Sequence, residues 1–439
     1  MTTLLAFLFV LGVLVFVHEL GHFLAAKRIG IKVLKFQLGF NPTILSVKRG
    51  DTEYSIGALP LGGYVKMAGE NPDEAHSAPD EFLSRSKWER FQVLFMGPAM
   101  NLALAFVLMT IVLYQGAQVP VYIDQPVVVG VISPGSPASK VDIRPGDHIV
   151  SVAARAVDTW EAFDIAIATR PNREVALGVV RDGAPLTINI TPVPSKGQRF
   201  EIGEVGILPD VHPTVPGVNA GEPGDRGGIR AGDTIVAVNG QRITFRTELR
   251  EAIASHPGQQ ITLSILRGGQ PMELQVTPEK RGETGWLGIQ LADASKSVKP
   301  GFVEAMRMSV EKNVQYSGLI FETVWGLITR QTSPRQLMGP VAIAQLSGES
   351  AQIGWIALFS LMASISLNLG LLNLMPIPVL DGGHILIMAL EGVARRDFSL
   401  KVKEKMLLAG FVVLMMLMVT VIYNDLTRIP LIERLMPWR

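Results

Sequence analysis

The feature that most limits the fold of this 439-residue chain is an apolar run near its start that leads into two histidines and a glutamate. Leu4 to Val17 contains no charged residue, and His18-Glu19-Leu20-Gly21-His22 follows directly. Such a run can enter a bilayer, where ionisable groups are costly and usually face a protein interior. Helical residues four apart share a face, so both imidazoles can hold one Zn²⁺ while Glu19 acts as general base toward water. The same string also occurs on solvated helices, but the apolar run favours the catalytic interpretation.

Length and composition indicate a membrane core that carries soluble modules. The chain is long enough for two to four units. Its hydrophobic fraction is 48% and its mean hydropathy is +0.31, which is high for a soluble protein and modest for a transporter. A net charge of +1 and the lack of a basic stripe give no sign of nucleic-acid binding. With no cysteine, disulfides and thiolate metal sites are excluded, and the redox compartment stays open.

Four windows are long enough to cross about 30 Å of hydrocarbon. They are roughly Leu4–Ala26, Val93–Gln115, Ile353–Met375 and Met406–Tyr423. No Lys or Arg precedes the first apolar stretch, and its far end carries the histidines. We therefore expect this window to be a retained helix rather than a cleaved signal peptide.

The positions of Lys and Arg near the windows predict the orientation in the membrane. Basic residues follow the first window, precede the second, and lie between the third and fourth: Lys27, Arg28, Lys32, Lys35, Arg85, Lys87, Arg90, Arg395, Arg396, Lys401, Lys403 and Lys405. These segments should be cytoplasmic, with the N-terminus, residues 116–350 and the C-terminus outside. Arg428, Arg434 and Arg439 argue mildly against this orientation.

Residues 141–152 match residues 227–238 at an offset of 86 residues, which also superimposes Arg181-Asp182-Gly183 on Arg267-Gly268-Gly269. A shared register this long predicts two copies of one β-rich domain. Each copy should contain alternating strands and one helix, near 160–168 and near 248–254. The Pro- and Gly-rich segment 209–228 is predicted to be a loop.

The I-x-x-G-D-x-I-x-x-V pattern of both copies resembles tandem PDZ domains, which bind an extended peptide or a chain end as an added strand. The expected binding strands are Gly130-Val131-Ile132 and Gly206-Ile207-Leu208. Plain structural sandwiches are the alternative interpretation.

Between the first two windows, four short strands are predicted at Val33–Gln37, Thr43–Lys48, Thr52–Ile56 and Tyr64–Met67. Non-helical backbone at membrane depth persists only where protein buries it or where it lines a wet cavity. We expect a small hairpin sheet beside the metal site, with a solvated cytoplasmic hairpin as the alternative.

A hydrolytic zinc site needs three protein ligands and one open position. In the predicted orientation, Asp381 lies just beyond the third window and reaches the same leaflet as the two histidines. Pro376 and Pro378 prevent a regular helix before it and allow the chain to bend inward. From spacing alone, Asp381 can be a ligand or a helix N-cap, and His384 is a rival third ligand.

Taken together, the HELGH string, Gly97-Pro98-Ala99-Met100-Asn101, the PDZ-like pair and N-x-x-P-x-P-x-L-D-G-G-H resemble the site-2 protease family over nearly the whole chain. The resemblance implies an intramembrane zinc metalloendopeptidase of the bacterial inner membrane. His18, His22 and Asp381 would ligate Zn²⁺, and Glu19 would activate water. The expected partners are the lipid bilayer and pre-trimmed single-span membrane proteins, such as anti-sigma factors and signal-peptide remnants. The PDZ-like pair would exclude bulky substrates.

The resemblance further implies that 61–65 belongs to a membrane-embedded β element. An edge strand there, with Gly62 and Gly63, would pair with a substrate helix that has opened into a strand. Asn373 is expected to clamp the same strand, or else to serve in helix packing. Asn101 is expected to be structural.

The predicted fold class is a polytopic α-helical membrane protein with four transmembrane helices, a membrane-associated β-hairpin element and two extramembrane PDZ-like domains. An ion transporter and a non-catalytic membrane scaffold are the competing functions. The predicted segments are the first membrane helix 1–26, a cytoplasmic or membrane re-entrant β region 27–92, the second helix 93–115, PDZ-like domains 121–195 and 203–281, an outer amphipathic linker 301–350, the third helix 353–380, a cytoplasmic loop 381–405, the fourth helix 406–423 and a tail 424–439.

Overall fold

Helices dominate both ends of the chain in a computed structural model that describes residues 2–71, 78–195 and 202–427. The α-helices of this part are α1 (Thr2–Ile29), α2 (Lys87–Gln115), α3 (Trp160–Ala168), α4 (Pro223–Arg226), α5 (Arg246–Ala254), α6 (Phe302–Ile328), α7 (Pro340–Ile353), α8 (Trp355–Leu374), α9 (Asp381–Ala394) and α10 (Leu400–Thr427). Four of them, α1, α2, α8 and α10, are long and apolar enough to cross a membrane. The prediction of four spans is confirmed.

Strands occupy one segment after α1 and most of the middle of the chain. They are β1 (Val33–Arg49), β2 (Thr52–Met67), β3 (Ala117–Pro120), β4 (Val127–Val128), β5 (Val131–Ile132), β6 (His148–Val152), β7 (Arg155–Ala156), β8 (Val175–Arg181), β9 (Ala184–Ile190), β10 (Val193–Pro194), β11 (Gly203–Glu204), β12 (Ile207–Leu208), β13 (Thr214–Val218), β14 (Thr234–Val238), β15 (Gln241–Arg242), β16 (Ile261–Arg267), β17 (Gln270–Val276), β18 (Glu279–Arg281), β19 (Thr284–Trp286), β20 (Ile289–Ala292) and β21 (Ser295–Val298). The chain forms two compact units, Met1–Gly116 with Lys299–Arg439, and Ala117–Val298.

In the first unit, α1 and α2 cross closely because two glycines meet at the contact. A Cβ on Gly21 would collide with the Met96 carbonyl, and a Cβ on Gly97 would collide with the His22 ring. The N-terminus of α2 is fixed by a capping box between Ser86 and Glu89. These features fix α2 beside the histidine-bearing face of α1.

The helix α8 packs on α2 from another side. Ser366 Oγ donates to the Asn101 carbonyl oxygen at 2.8 Å. Val10 and Leu14 of α1, Leu108 of α2 and Met362 of α8 are buried in one apolar cluster. Three apolar helices therefore share one core, which lies one to two turns before His18 along α1.

The hairpin β1–β2 folds back on itself and gives four paired segments. Residues 33–38 of β1 pair with 63–67 of β2 on one side and with 53–56 of β2 on the other, while 43–49 pair with 52–57. This arrangement agrees with the four short strands expected in this region. Residues 63–67 form one edge of the sheet.

The segment predicted as an amphipathic linker, 301–350, contains α6 and most of α7. Ser309 of α6 is buried and donates to the Phe106 carbonyl oxygen of α2 at 2.9 Å, while Phe321 and Trp325 are exposed. The segment predicted as a loop, 381–405, contains α9 and the start of α10. The helices of 301–350 agree with the expected amphipathic segment, whereas 381–405 is largely helical where a loop was expected.

The second unit contains two separate apolar cores. Val127, Ile149 and Leu177 are buried in the first, and Ile235 and Leu263 in the second. The first core carries the sheet order β4-β6-β8-β9, and the second carries β17-β16-β14-β13-β20. The bounds of α3 and α5, of β8 and β16, and of β9 and β17 recur at the same offset of 86 residues seen in the sequence.

A buried aspartate closes the matching turn in each core. Arg181 donates to Asp147 at 2.7 Å, and Arg267 donates to Asp233 at 2.7 Å. Hydrogen bonds from Arg181 hold the pKa of Asp147 below its usual range. Burial opposes ionisation of Asp233, but the hydrogen bonds from Arg267 outweigh it and lower the pKa of that carboxyl. Each pair ties the turn before β6 or β14 to the end of the neighbouring strand.

The boundary expected at residue 203 differs from the structure. Val205 and Ile207 are buried in the first core, whereas the second core is completed by Leu287 and by β20. The expected loop 209–228 contains β13 and α4. The physical reason is that each core is completed by a strand that follows its long hairpin: β12 follows β8–β9, and β20 follows β16–β17. The second copy therefore begins at β13 and ends near Ala292.

Candidate metal centre and active site

The helix α1 places His18 and His22 on one buried face, one turn apart. His22 donates its Nδ1–H to the Val93 carbonyl oxygen at 2.8 Å, which leaves the Nε2 lone pair directed at His18. The two Nε2 atoms lie 3.2 Å apart. Two nitrogen lone pairs at that separation repel each other unless a proton or a cation lies between them.

The first residue of α9 completes a triangle with these nitrogens. Asp381 Oδ2 lies 3.3 Å from His18 Nε2 and 3.6 Å from His22 Nε2. Among the described residues, these three form the group whose ligand atoms approach closely enough to hold a metal ion. Nitrogen and oxygen ligands about 2.0–2.1 Å from a tetrahedral zinc lie roughly 3.3–3.4 Å apart. The donor set and its spacing therefore fit zinc.

The contacts of Asn101 also fit a metal ion bound by His18. Its side-chain amide lies 3.3 Å from His18 Nδ1, and its buried Oδ1 has no hydrogen-bond partner among the described residues. The nitrogen and oxygen of an amide have nearly the same shape, and turning this amide by 180° lets Oδ1 accept the Nδ1–H of His18. That tautomer directs the His18 Nε2 lone pair into the triangle.

The structure also distinguishes the alternatives for the third ligand. Asp381 is the first helical residue of α9, Leu380 occupies the N-cap position, and the α9 N-terminus has no side-chain cap. The Asp381 carboxylate contacts the two imidazoles instead of capping the helix. His384 is exposed, lies outside the triangle and lines a neighbouring cavity.

Glu19 lines the same cavity of about 280 Å³ as the triangle. The sheet approaches it closely at Gly63, where a Cβ would lie 3.2 Å from Glu19 Cγ and 2.8 Å from the Gln37 carbonyl oxygen. Tyr64, Val65 and Met67 of the edge strand line the cavity as well. Within the described part of the chain, an unpaired sheet edge thus lies beside a carboxylate and three side chains that could hold a metal ion.

Asn373 and Gly62 occupy the surroundings of this cavity in different ways. The Asn373 amide lies 3.5 Å from His18 Nε2 and lines the cavity. Gly62 packs against the Phe40 ring rather than against the triangle. Sequence reasoning missed the roles of Val93 and Asn101 in orienting the histidines, although the Gly-Pro-x-x-Asn motif was the signal for Asn101.

The two strands expected to bind peptides as separate edges are partners of each other. Residues 131–132 of β5 pair with residues 207–208 of β12, so Gly130-Val131-Ile132 is already covered on that side by Gly206-Ile207-Leu208. In the second core the equivalent pair is β13 with β20. The expectation that Gly206–Leu208 belongs to the second copy is therefore corrected.

Beside β20 the second core carries a cavity of about 490 Å³. It is lined by Arg250 and Ile253 of α5 and by the turn Trp286–Ile289. The sequence signal for this edge was the likeness of Val205-Gly206-Ile207 to Leu287-Gly288-Ile289, which the offset of 86 does not superimpose.

Comparison with known proteins identifies the class. The chain matches peptidase family M50 over residues 6–417 and belongs to that family, which makes it a metalloprotease. The resemblance and the enzyme class predicted from the motifs are confirmed. Together with α1, α2, α8 and α10, this defines a multi-pass membrane metalloprotease.

Individual relatives extend over almost the full length. The regulator of sigma E protease of Haemophilus influenzae is 32% identical over 446 residues, covering 97% of this chain and 98% of the relative. The protease RseP of Yersinia pestis is 32% identical over 458 residues, covering 97% and 99%. A Neisseria meningitidis protein whose name describes a zinc metalloprotease is 32% identical over 449 residues, covering 98% and 100%.

Proposed function

We propose that this chain is an intramembrane zinc endopeptidase that hydrolyses peptide bonds in or near the membrane spans of single-span proteins. The observation that carries the proposal is the triangle of His18, His22 and Asp381 beside Glu19, on a helix apolar enough to cross a membrane. A transporter or a scaffold would not need three ligand atoms at zinc spacing next to a carboxylate.

In this proposal His18, His22 and Asp381 hold the ion, and Val93 and Asn101 orient the two imidazoles. Bound zinc would polarise the scissile carbonyl and make water more acidic. Glu19 takes the proton of the attacking water and delivers it to the nitrogen of the leaving amine. Residues of α1, of the segment that leads into α9 and of the sheet edge line the site cavity around these groups.

The sheet edge gives the chain a way to hold an unwound substrate. A peptide bond inside a helix is shielded, so the substrate span must open before attack. Residues 63–67 present a free edge that can pair with the opened backbone, with Gly63 leaving room beside Glu19. Asn373 can donate to or accept from the same strand. These substrate contacts belong to the proposal.

The two cores of the second unit are proposed as PDZ-like modules. Their outermost strands are β12, in Gly206–Leu208, and β20, next to the cavity along α5. Gly130–Ile132, which contains β5, then pairs with one edge of β12 and leaves the opposite edge for a ligand. Each edge could accept an extended chain end, and the modules would admit only substrates whose outer domain has been trimmed.

The basic segments around α1, α2 and α9–α10 favour an inner-membrane protein with its metal centre toward the cytoplasmic leaflet and residues 117–298 outside. The relatives named for sigma-E regulation support anti-sigma-factor-like substrates in regulated intramembrane proteolysis. Residues 428–439, which contain the opposing arginines, lie outside the described part of the chain.

The test is cleavage of a single-span substrate without its outer domain. Wild-type protein should cut within the span, and a zinc chelator should stop it. Glu19→Gln should retain zinc and substrate but reduce turnover by at least about 10²-fold, as expected for loss of a general base. Turnover by Glu19→Gln close to that of wild type would exclude Glu19 as the base.

A further inference from the structure

A second, larger cavity adjoins the metal centre within the same unit. Its volume is about 670 Å³, and Glu70, Leu94, Val379 and Asp381 line both this cavity and the site cavity. The larger cavity continues toward the N-terminal turns of α2 and α10, where Arg90 and Lys403 line it. Anything that leaves the metal centre past Asp381 in this direction enters the larger cavity.

Arg90 differs from Lys87 and Lys403 because it forms no ion pair with a described residue, although the more distant Asp397 carboxylate interacts with its charge. Its Nε is buried without a hydrogen-bond partner, and the guanidinium forms no ion pair within the described part of the chain. By contrast, Lys403 lies 2.7 Å from Glu391, and Lys87 lies 2.8 Å from Asp397. A partly buried cation without a partner is unfavourable, and an anionic ligand would remove that cost.

The chemistry of the site supplies one specific anion. Hydrolysis adds the oxygen of water to the scissile carbonyl carbon and breaks its bond to nitrogen, which takes up a proton. The N-terminal fragment then ends in a new carboxylate and the other fragment begins with a new amine. In the proposed orientation, a substrate whose N-terminus is cytoplasmic releases its N-terminal fragment toward the cytoplasm, which is the side of the larger cavity.

We propose that Arg90 binds the newly formed carboxylate of the N-terminal cleavage product as this fragment passes through the larger cavity. The inference rests on the proposed peptidase function. A guanidinium can pair with a carboxylate through two parallel hydrogen bonds, which a neutral amide end does not match.

The other charges of the cavity favour a single carboxylate over a phosphate. Glu70 and Glu404 line the same space and would repel a lipid headgroup or free phosphate with more than one negative charge. An otherwise neutral peptide backbone with one terminal charge brings less repulsion. The volume also suits a short peptide segment, since ligand pockets of roughly 300–1,000 Å³ take drug-sized molecules.

The experiment measures binding of two labelled peptides to the full-length, zinc-loaded protein in detergent. Both peptides have the sequence of the N-terminal product, and one ends in a free carboxylate while the other ends in an amide. The variants are Arg90→Gln and Arg90→Met, with Arg28→Gln as the matched control because Arg28 is an exposed arginine at the end of α1. The zinc content of each variant is measured, and only Arg90 variants that retain zinc are used to judge the role of Arg90.

Wild type and Arg28→Gln should bind the acid about tenfold or more tighter than the amide, as expected for a charge-assisted contact. In the Arg90 variants this ratio should fall to near one. An unchanged ratio would overturn the inference, since the carboxylate would then be held elsewhere, for example by the metal. Displacement of the acid peptide by inorganic phosphate or by anionic lipid vesicles at lower concentration than by unlabelled acid peptide would also overturn it.

The two proposals fail separately. Binding does not require turnover, so Glu19→Gln should retain the acid preference while it loses cleavage. Cleavage by wild type with an unchanged ratio in the Arg90 variants would remove only the role of Arg90. Absence of cleavage by wild type, with an Arg90-dependent ratio, would remove the peptidase proposal and leave a carboxylate-binding cavity.

Discussion

At the scale of single residues, the proposed metal centre includes atoms that orient the histidines as well as the three expected ligands. The Val93 carbonyl fixes the tautomer of His22, and Asn101 is positioned to do the same for His18. Position 97 has no side chain, and a Cβ there would collide with the His22 ring. The G-P-x-x-N motif on α2 thus acts on both imidazoles of α1.

Asn101→Leu tests this orienting role. The substitution keeps a similar volume but removes the partner of His18 Nδ1, and loss of such a partner typically weakens metal binding by about 10–100-fold. We expect a zinc dissociation constant raised by that factor, measured by competition with a chelator. Ser366→Ala is the control, because Ser366 contacts only the backbone of Asn101. Equal zinc affinity in Asn101→Leu and wild type would show that His18 needs no such partner.

At the scale of elements, the two cores of the second unit rely on one buried charge pair each. Arg267 spans from the end of β16 to Asp233 and to the Gly228 carbonyl oxygen. Because the pKa of Asp233 is lowered on folding, its contribution is present above the unfolded value of about 3.9 and is lost as pH falls below it. The pair therefore stabilises the second core at neutral pH and not in acid.

Asp233→Asn should destabilise the second core by about 2 kcal/mol at pH 7, the scale of a hydrogen bond to a charged group. Acidification from pH 7 to pH 3 should then lower the stability of the second core less in the variant than in wild type. Hydrogen exchange in β14 and β16, corrected for intrinsic rates, measures both effects. Asp182→Asn, at an exposed turn, should change neither, and exchange in β6 and β8 of the first core should be unaffected. Equal acid sensitivity of Asp233→Asn and wild type would contradict the assignment.

At the scale of the whole molecule, two compact units carry separate tasks in the proposed function. The first contains the metal centre, and the second contains the two sheet edges. If the second unit excludes bulky substrates, replacing residues 117–298 by a flexible linker should allow cleavage of substrates that retain their outer domain. Cleavage of intact and trimmed substrates, measured side by side, tests this; continued resistance of intact substrates would argue against a filter.

The sequence predicted the parts of this molecule that local patterns determine. Apolar windows predicted the four long helices, and four short strands were predicted where the structure has β1 and β2. The i, i+4 spacing placed both histidines on one face. The sequence could not decide between Asp381 and His384, because Asp381 follows His18 by 363 positions and only the three-dimensional packing shows which side chain turns inward.

The errors have a common physical cause, which is that they concern contacts far apart in the chain. β12 joins the first core by pairing with β5, and no local pattern indicates that pairing. From the sequence, Arg90 was one of many cytoplasmic basic residues. The structure shows that Lys87 and Lys403 form close ion pairs, whereas Arg90 forms none with a described residue.

The most direct test of the account is the zinc content of purified full-length protein and three variants. Wild type, Glu19→Gln and His384→Ala should each contain about one zinc per chain, since a site with three protein ligands binds one ion. Asp381→Ala should contain almost none after brief dialysis against a weak chelator. Full zinc content in Asp381→Ala, with loss in His384→Ala, would contradict the triangle of His18, His22 and Asp381 as the metal centre.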